Sequence, residues 1–433
     1  LEKIIMRWFL LLLWLLIPFS LSAQDAPSQP VPHQFKTTAY RQDGNRVVSG
    51  QGTFPHVEQY TVPLNSQPQW LIGSPVGDQE AVWVIVDTAG TVTGALSYEN
   101  QYSISPPLPP PLPAGMPPVL ASDDLGAFVD TQFPADSAPQ THAVRIFERT
   151  AYINQAGQLQ LLDENNAPLA RFDHYLAPDA RIVLNDTGLL ATYADYTDSR
   201  YSTAVLGDGL EGHSLLVIDI GFGEVIGSLS LPEPQVFEGL SPFWADINGD
   251  GSADIVTTVS DDRGGPRIRA YQTDGTLIAE GPAIGRGGYW RHQVAWANFG
   301  ANGESLLAEV LTPHHGGIVG FFRYDGNGRF ERVGRADGYT SHVVNSRNVD
   351  MVIAGDFDGD GQAELVLPNQ DLNQLVSLAL DAENNVVERW SFPLDGTLIT
   401  NISPVELYNG QIGLAVGVRL SNGTYALKIW LPS

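Results

Sequence analysis

The stretch ADINGDGSADIV, residues 245–256, sets Asp246, Asn248, Asp250 and Asp254 around a short turn, with Ser252 between the last two. Alternate residues of a loop point the same way when the loop wraps an ion. Asp246, Asn248 and Asp250 then offer side-chain oxygens, Ser252 offers its backbone carbonyl, and Asp254 closes the site. Ca²⁺ accepts about six to eight such hard oxygens in a flexible geometry. The same spacing recurs in GDFDGDGQAELVL, where Asp356, Asp358, Asp360, Gln362 (through its carbonyl) and Glu364 take the corresponding places. Gly251 and Gly361 follow the third ligand in each loop, where a Cβ would resist the sharp turn. Two Ca²⁺ sites are expected.

A helix–loop–helix calcium hand would carry Glu at the twelfth position. Those positions hold Thr257 and Leu367, and the runs IVTT and LVL that follow the loops are short and strand-like. Each loop therefore joins two strands. The loop fills every ligand position itself, which leaves little room for a substrate. The ion is expected to be structural, pinning hairpins whose carboxylates would otherwise repel.

The two loops belong to a longer pattern. A strand–turn–strand unit recurs in VWVIVDTAGTVTGAL from Val82, LQLLDENNAPLARF from Leu159, LLVIDIGFGEVIGSL from Leu215, IRAYQTDGTLIAE from Ile268, GFFRYDGNGRFERV from Gly320 and LVSLALDAENNVVERW from Leu375. A truncated copy, YALKIWLPS, begins at Tyr425. The units repeat at about fifty-residue intervals, with one longer gap that contains the Pro-rich run 103–118, an extended insert. These units predict an all-β chain, a seven-bladed β-propeller of four-stranded antiparallel blades. The alternative is six blades, with residues 24–105 apart. Positions aligned with the ion loops at Asp195 and Asn298 lack the full ligand set, so no ion is expected there. The last unit has no room for a fourth strand. The segment FKTTAYRQ from Phe35 is expected to supply it and close the ring. The implied organisation is a signal peptide over 1–23, an N-terminal segment over 24–54 and the propeller over 55–433.

The segments FWADINGDGSADIVTTVSDDRGGPRIRAYQTDGTLIAE and VIAGDFDGDGQAELVLPN resemble FG-GAP/VCBS repeats, and Gly264, Gly265 and Pro266 stand at the GAP element. The resemblance is specific in two units and only patterned in the rest of residues 60–433. It implies a calcium-binding propeller like that of integrin α-subunits, in an extracellular setting. It implies no single activity.

Composition narrows the partners. The chain carries 49 Asp and Glu against 23 Lys and Arg, a net charge of −26. Such a surface repels phosphate backbones, so no nucleic-acid partner is expected. There is no Cys, which excludes disulfides, zinc–thiolate sites and thiol catalysis. Arg7, the apolar run from Trp8 to Phe19 and the small residues Ser20, Ser22 and Ala23 have the form of a cleaved export signal. No second apolar run of membrane length follows. A secreted or cell-surface monomer is expected.

Opposite the ion loops, one group of residues could recognise a ligand. Tyr289, Trp290, Arg291, His292, His314 and His315 lie in one unit, with Arg263 in the unit before it. Aromatic faces with Arg and His suit a sugar ring or a carboxylate-bearing ligand. No nucleophile or metalloprotease motif accompanies them. The expected function is an adhesion-type module that binds an extracellular protein or polysaccharide. The alternative is an extracellular carbohydrate-active enzyme using this face; a deep pocket joining His292, His314 and a carboxylate would favour it.

Overall fold

β-Branched and aromatic runs, broken by Gly, Asp and Asn, form strands throughout the described residues. The computed structural model describes residues 34–433 apart from 99–100, 109, 124–125 and 147; the expected signal peptide lies outside the described residues. All the elements described are strands, and none is a helix.

The strands pair mostly with their sequence neighbours into antiparallel sheets. The first sheet takes Pro68–Pro75, Ala81–Asp87, Val92–Tyr98 and Gln101–Ile104, and the second takes Val144–Ile146, Arg149–Ile153, Leu159–Leu162 and Pro168–Arg171. The third (Val183–Leu184, Leu189–Thr197, Glu211–Asp219, Glu224–Ser230) meets the fourth (Val236–Ala245, Asp254–Ser260, Arg267–Tyr271, Leu277–Glu280) through one pairing of Gly212 with Phe237. Arg291–Ala297, Leu306–Leu311, Ile318–Tyr324 and Phe330–Asp337 make the fifth. Ile353–Asp356, Glu364–Pro368, Gln374–Leu380 and Val386–Pro393 make the sixth. The C-terminal sheet contains Gly396–Glu406, Ile412–Leu420 and Tyr425–Pro432. A small sheet of Gln34–Lys36, Leu120–Asp123 and Gly126–Val129 stands beside the first two.

Second strands such as Asp254–Ser260 and Glu364–Pro368 are buried at every residue, because neighbouring sheets cover both of their faces. Outer strands such as Glu224–Ser230 are largely exposed. In five sheets the pairing of the last two strands shifts register at one point: Leu161/Leu162, Val217/Ile218, Ala270/Tyr271, Phe321/Phe322 and Ser377/Leu378. A repeated bulge of this kind strengthens the local twist in the same place in each sheet.

The hairpins that the sequence pattern detects share one device. Asp87, Asp163 and Asp381 each accept hydrogen bonds from the amides two and four residues on. This closes the turn from a side chain. In most sheets the hairpin joins the third and fourth strands. VWVIVDTAGTVTGAL instead joins the second and third strands of its sheet, which corrects its alignment and accounts for part of the long gap after it.

The fourth strand of the C-terminal sheet is Val57–Leu64, in register from Val57 opposite Pro432 to Leu64 opposite Tyr425. It is not FKTTAYRQ. Gln34–Lys36 pairs with Leu120–Asp123 instead, Phe35 is buried in the core beneath the second and third sheets, and the chain turns sharply at Tyr40. Val57–Leu64 matches Tyr425–Pro432 in length and buries Val62 between neighbours.

The segment between these two stretches runs through the centre as a strap. Its backbone carbonyls at Gln42, Asp43 and Arg46 accept from the amides of Leu184, Trp244 and Ala354, at 2.8–2.9 Å, in the third, fourth and sixth sheets. The Asn45 side chain exchanges two hydrogen bonds with the Trp296 backbone in the fifth sheet. Val47–Gln51 then pairs in parallel with Ile353–Asp356 at the inner edge of the sixth sheet. These contacts satisfy inner-strand groups that an axial hole would leave bare.

Closure by Val57–Leu64 is directly testable. Val62→Asp buries an unpaired charge and is expected to cost about 3 kcal/mol or more. Thr61→Asp, on the exposed side of the same strand, is expected to change stability by less than about 0.5 kcal/mol. Thermal unfolding of both variants checks the register.

Candidate functional site

Both acidic loops join the first and second strands of their sheets, and they share one side of the molecule. They are built alike. In the first, the Asp246 carboxylate accepts the amides of Gly249, Asp250 and Gly251, and Asp254 accepts the amide of Ile247. In the second, Asp356 accepts Gly359 and Gly361, and Glu364 accepts Phe357 and Asp358. Gly251 and Gly361 both take the left-handed conformation, with φ of 85° and 89°. Each loop is thus curled around its own carboxylates before any ion is considered.

In the second loop Asp356, Asp358 and Glu364 bring carboxylate oxygens within 4.8 Å of one another. Burial, followed by the charge of Asp358, pushes the Glu364 carboxyl up to about 9. Asp254 in the first loop rises to about 6, again chiefly through burial, with Asp250 and Asp246 adding repulsion. Converging oxygens of this kind could hold a hard divalent cation. Asp360 stands outside the three-oxygen group, and its second oxygen lies 3.2 Å from Arg389. Gln362 sends its side-chain amide to the carbonyls of Phe299 and Leu380, and Ser252 caps Asp250 through its amide.

The aligned positions without a ligand set differ from each other. Asn298 does lie in the corresponding loop of the fifth sheet, where its amide donates to the Gly361 carbonyl. Asp195 does not, because it sits near the end of a second strand with His174 at 3.1 Å. The corresponding turn of the third sheet is 185–188, closed by Asn185, whose Oδ1 accepts from Thr187 and Leu189.

On the opposite side, Trp290, His292 and His314 do come together, joined by His342, which sequence spacing gave no reason to include. The Trp290 ring centroid lies 5.3 Å from His292, 5.6 Å from His314 and 4.8 Å from His342. Its other neighbours are Leu206, Leu240 and Val349. At 3% exposure it packs rather than presents a surface. Arg291 turns away to Glu309, at 3.2 Å, in the interior of the fifth sheet. Arg263 and His315 are exposed apart from the group, and Tyr289 packs beneath the Arg286 guanidinium.

The histidines form a directed chain. His342 Nε2 meets the Ser346 carbonyl at 2.7 Å, so it carries the proton. His342 Nδ1 is then an acceptor for His314 Nε2–H, at 2.6 Å. His292 Nδ1 meets Ser341 Oγ at 2.9 Å. Burial lowers His314 and His342 to about 4 and His292 well below its ordinary value. Nearby, Glu211 and Glu238 are buried beneath the 198–210 loop. Ser202 and Ser260 donate to them, and burial raises Glu238 to about 8. Asp350 lies within electrostatic reach of His292, and Arg46 and Arg181 already hold it. The arrangement is a closed, neutral polar packing that leaves only the His314 end partly open.

No family model matches the chain, and no curated protein matches it. Solved structures do. BamB from Moraxella catarrhalis aligns with a TM-score of 0.47 and 11% identity, over 86% of this chain and 97% of its own. The quinohemoprotein alcohol dehydrogenase ADHIIG from Pseudomonas putida HK5 aligns with a TM-score of 0.54 and 8% identity, over 93% of this chain and 81% of its own. A chain of the Mitotic Checkpoint Complex aligns with a TM-score of 0.40 and 12% identity, over 96% and 98%. All three are β-propeller proteins. The likeness to the dehydrogenase, together with the sheet topology, makes this chain a β-propeller; at that identity it carries the fold alone.

The histidine chain has a pH signature. A histidine lowered from 6.5 to about 4 on folding contributes nothing above pH 6.5 and costs stability progressively below it. His342 alone is expected to cost on the order of 3 kcal/mol by pH 4. Melting temperature is expected to fall between pH 6.5 and 4, and His342→Gln is expected to flatten that fall. An unchanged slope in the variant would remove His342 as its source.

Proposed function

We propose that the chain is a secreted or cell-surface propeller of seven blades, of the FG-GAP/VCBS type, stabilised by two Ca²⁺ ions and acting as a binding module for an extracellular protein or polysaccharide. The observation that carries this reading is the convergence of Asp356, Asp358 and Glu364 in a loop whose backbone already faces its carboxylates. The first loop repeats the same amide pattern around Asp246 and Asp254. Asp246, Asn248, Asp250, Ser252 and Asp254 would hold one ion. Asp356, Asp358, Asp360, Gln362 and Glu364 would hold the other. The ions would neutralise carboxylates in a chain of net charge −26 and do no chemistry themselves.

Binding fits better than catalysis. The chain's own strap occupies the axis, and Trp290, His292 and His342 are packed shut. Asp350, the carboxylate in reach of His292, is held by Arg46 and Arg181. Recognition would then fall to the loops that connect second to third strands and one sheet to the next. Among the described residues no helix is long and apolar enough to cross a membrane.

Calorimetric titration of calcium is expected to show two ions, one lost in Asp250→Asn and the other in Asp358→Asn. At a hundredfold excess over Kd each ion adds about 2.7 kcal/mol of stability, which chelation should remove. A titration without heat and a melting temperature indifferent to chelator would sink the calcium reading. Arrays of extracellular polysaccharides and proteins, probed with and without calcium, test the binding role. Turnover of an arrayed glycan would instead support the enzyme.

A further inference from the structure

The two ion loops share their internal design but not their surroundings. In the first, a Cβ at Gly249 would meet nothing within 4 Å, and the strap bonds the strand before the loop, through Asp43 to Trp244. In the second, the strap lies directly against it. Gln51 pairs with Asp356 across the parallel ladder. The Gly52 amide donates to the Asp356 carbonyl at 2.6 Å, and the Phe54 amide donates to the Phe357 carbonyl at 2.9 Å. A Cβ on Gly52 would come 1.9 Å from the Phe357 carbonyl oxygen, so only glycine permits this approach. The equivalent point on Gly359, inside the loop, is 2.7 Å from the Gly52 carbonyl oxygen. From the far side, Asn298 donates to Gly361, and Ala363 donates to the Asn298 carbonyl.

We infer that Gly52 is a positioning residue of the second ion site, so that docking of strap residues 51–54 and ion binding at 356–364 form one linked equilibrium, while the first site lies outside that coupling. This rests on the ion reading of the loops. Gln51 lies opposite Asp356 in the ladder, and Gly52 fixes the backbone between Asp356 and Gly359. Partners that orient a ligating carboxylate typically change metal affinity by about 10–100-fold when removed. Linkage makes the effect reciprocal: whatever factor the strap adds to ion affinity, the ion adds to strap docking. Phe54 stacks on Trp390, with ring centroids 4.8 Å apart, and the closing strand starts at Val57. The coupling therefore reaches ring closure.

The test uses the full chain in the Asp250→Asn background, where only the second site titrates. Gly52→Ala sets a Cβ against the Phe357 carbonyl. Calorimetry is expected to show second-site affinity reduced about tenfold or more in Gly52→Ala. The same substitution placed in Asp358→Asn should leave the first site unchanged. Hydrogen exchange is expected to accelerate at the Gln51, Gly52 and Phe54 amides when calcium is chelated, and not at Gly249 to Ser252 beyond loss of their own ion. A second-site ion that ignores Gly52→Ala, or strap amides that ignore that ion, overturns the inference alone. No calcium heat in the Asp250→Asn background overturns the ion reading and the inference with it.

Discussion

A ring of sheets leaves its innermost backbone groups facing an axis, and in this protein one carboxylate organises what fills it. Asp350, 1% exposed, takes Arg46 Nε at 3.0 Å, Arg181 Nη1 at 2.6 Å and the Thr38 hydroxyl. Burial pushes its carboxyl up, and Arg181 and Arg46 more than reverse this, leaving it far below the ordinary range. Thr38 and Arg46 come from the strap and the stretch that leads into it, Arg181 from the connection between the second and third sheets, and Asp350 itself from the connection before the sixth. Taking these charges out of water offsets much of their attraction, so the cluster contributes position more than stability. It tells the strap where to stop. The register of Arg46 against Gln293 and Val294, and the parallel ladder that follows it, depend on that point.

What could be read from residues alone was local. The hairpin turns were visible because an Asp side chain closes them, and the ion loops because oxygen-bearing residues alternate there. Both are short-range devices whose atoms lie within a few residues of one another. What failed was long-range assignment. VWVIVDTAGTVTGAL carries the hairpin signature but occupies a different pair of strands, since a turn does not record which strands it joins. Asp195 was aligned with the ion loops by interval alone, and an interval cannot tell a turn from the far end of the strand after it. The closing strand was sought in FKTTAYRQ, whose alternation is no better than that of VEQYTVPL. The choice between them is made by the core that buries Phe35 and by the partner strand that buries Val62.

The candidate site was legible to the same degree. Trp290, His292 and His314 were grouped because they share one unit, and they do meet. His342 enters from the next connection, and nothing in its spacing marks it. Arg291 illustrates the strand period: alternate residues face opposite sides, so neighbours of His292 cannot all join it. Arg291 serves Glu309 in the interior, while His292 faces Ser341 and Trp290. A cluster that looked like recognition chemistry is largely packing around Trp290.

The pairing of Val57–Leu64 with Tyr425–Pro432 joins strands with nearly all of the described chain between them. Loop closure over such a span costs conformational entropy before its contacts form, and contacts of high sequence separation slow folding. During synthesis Val57–Leu64 emerges long before its partner exists. The strap gives it somewhere to wait only once the sixth sheet is made, because Val47–Gln51 needs Ile353–Asp356. For most of translation the segment from Val47 to Leu64 is therefore an unpaired strand edge. Such an edge is a template for wrong pairing, and on this segment Glu58 and Pro63 are the kind of residues that discourage it.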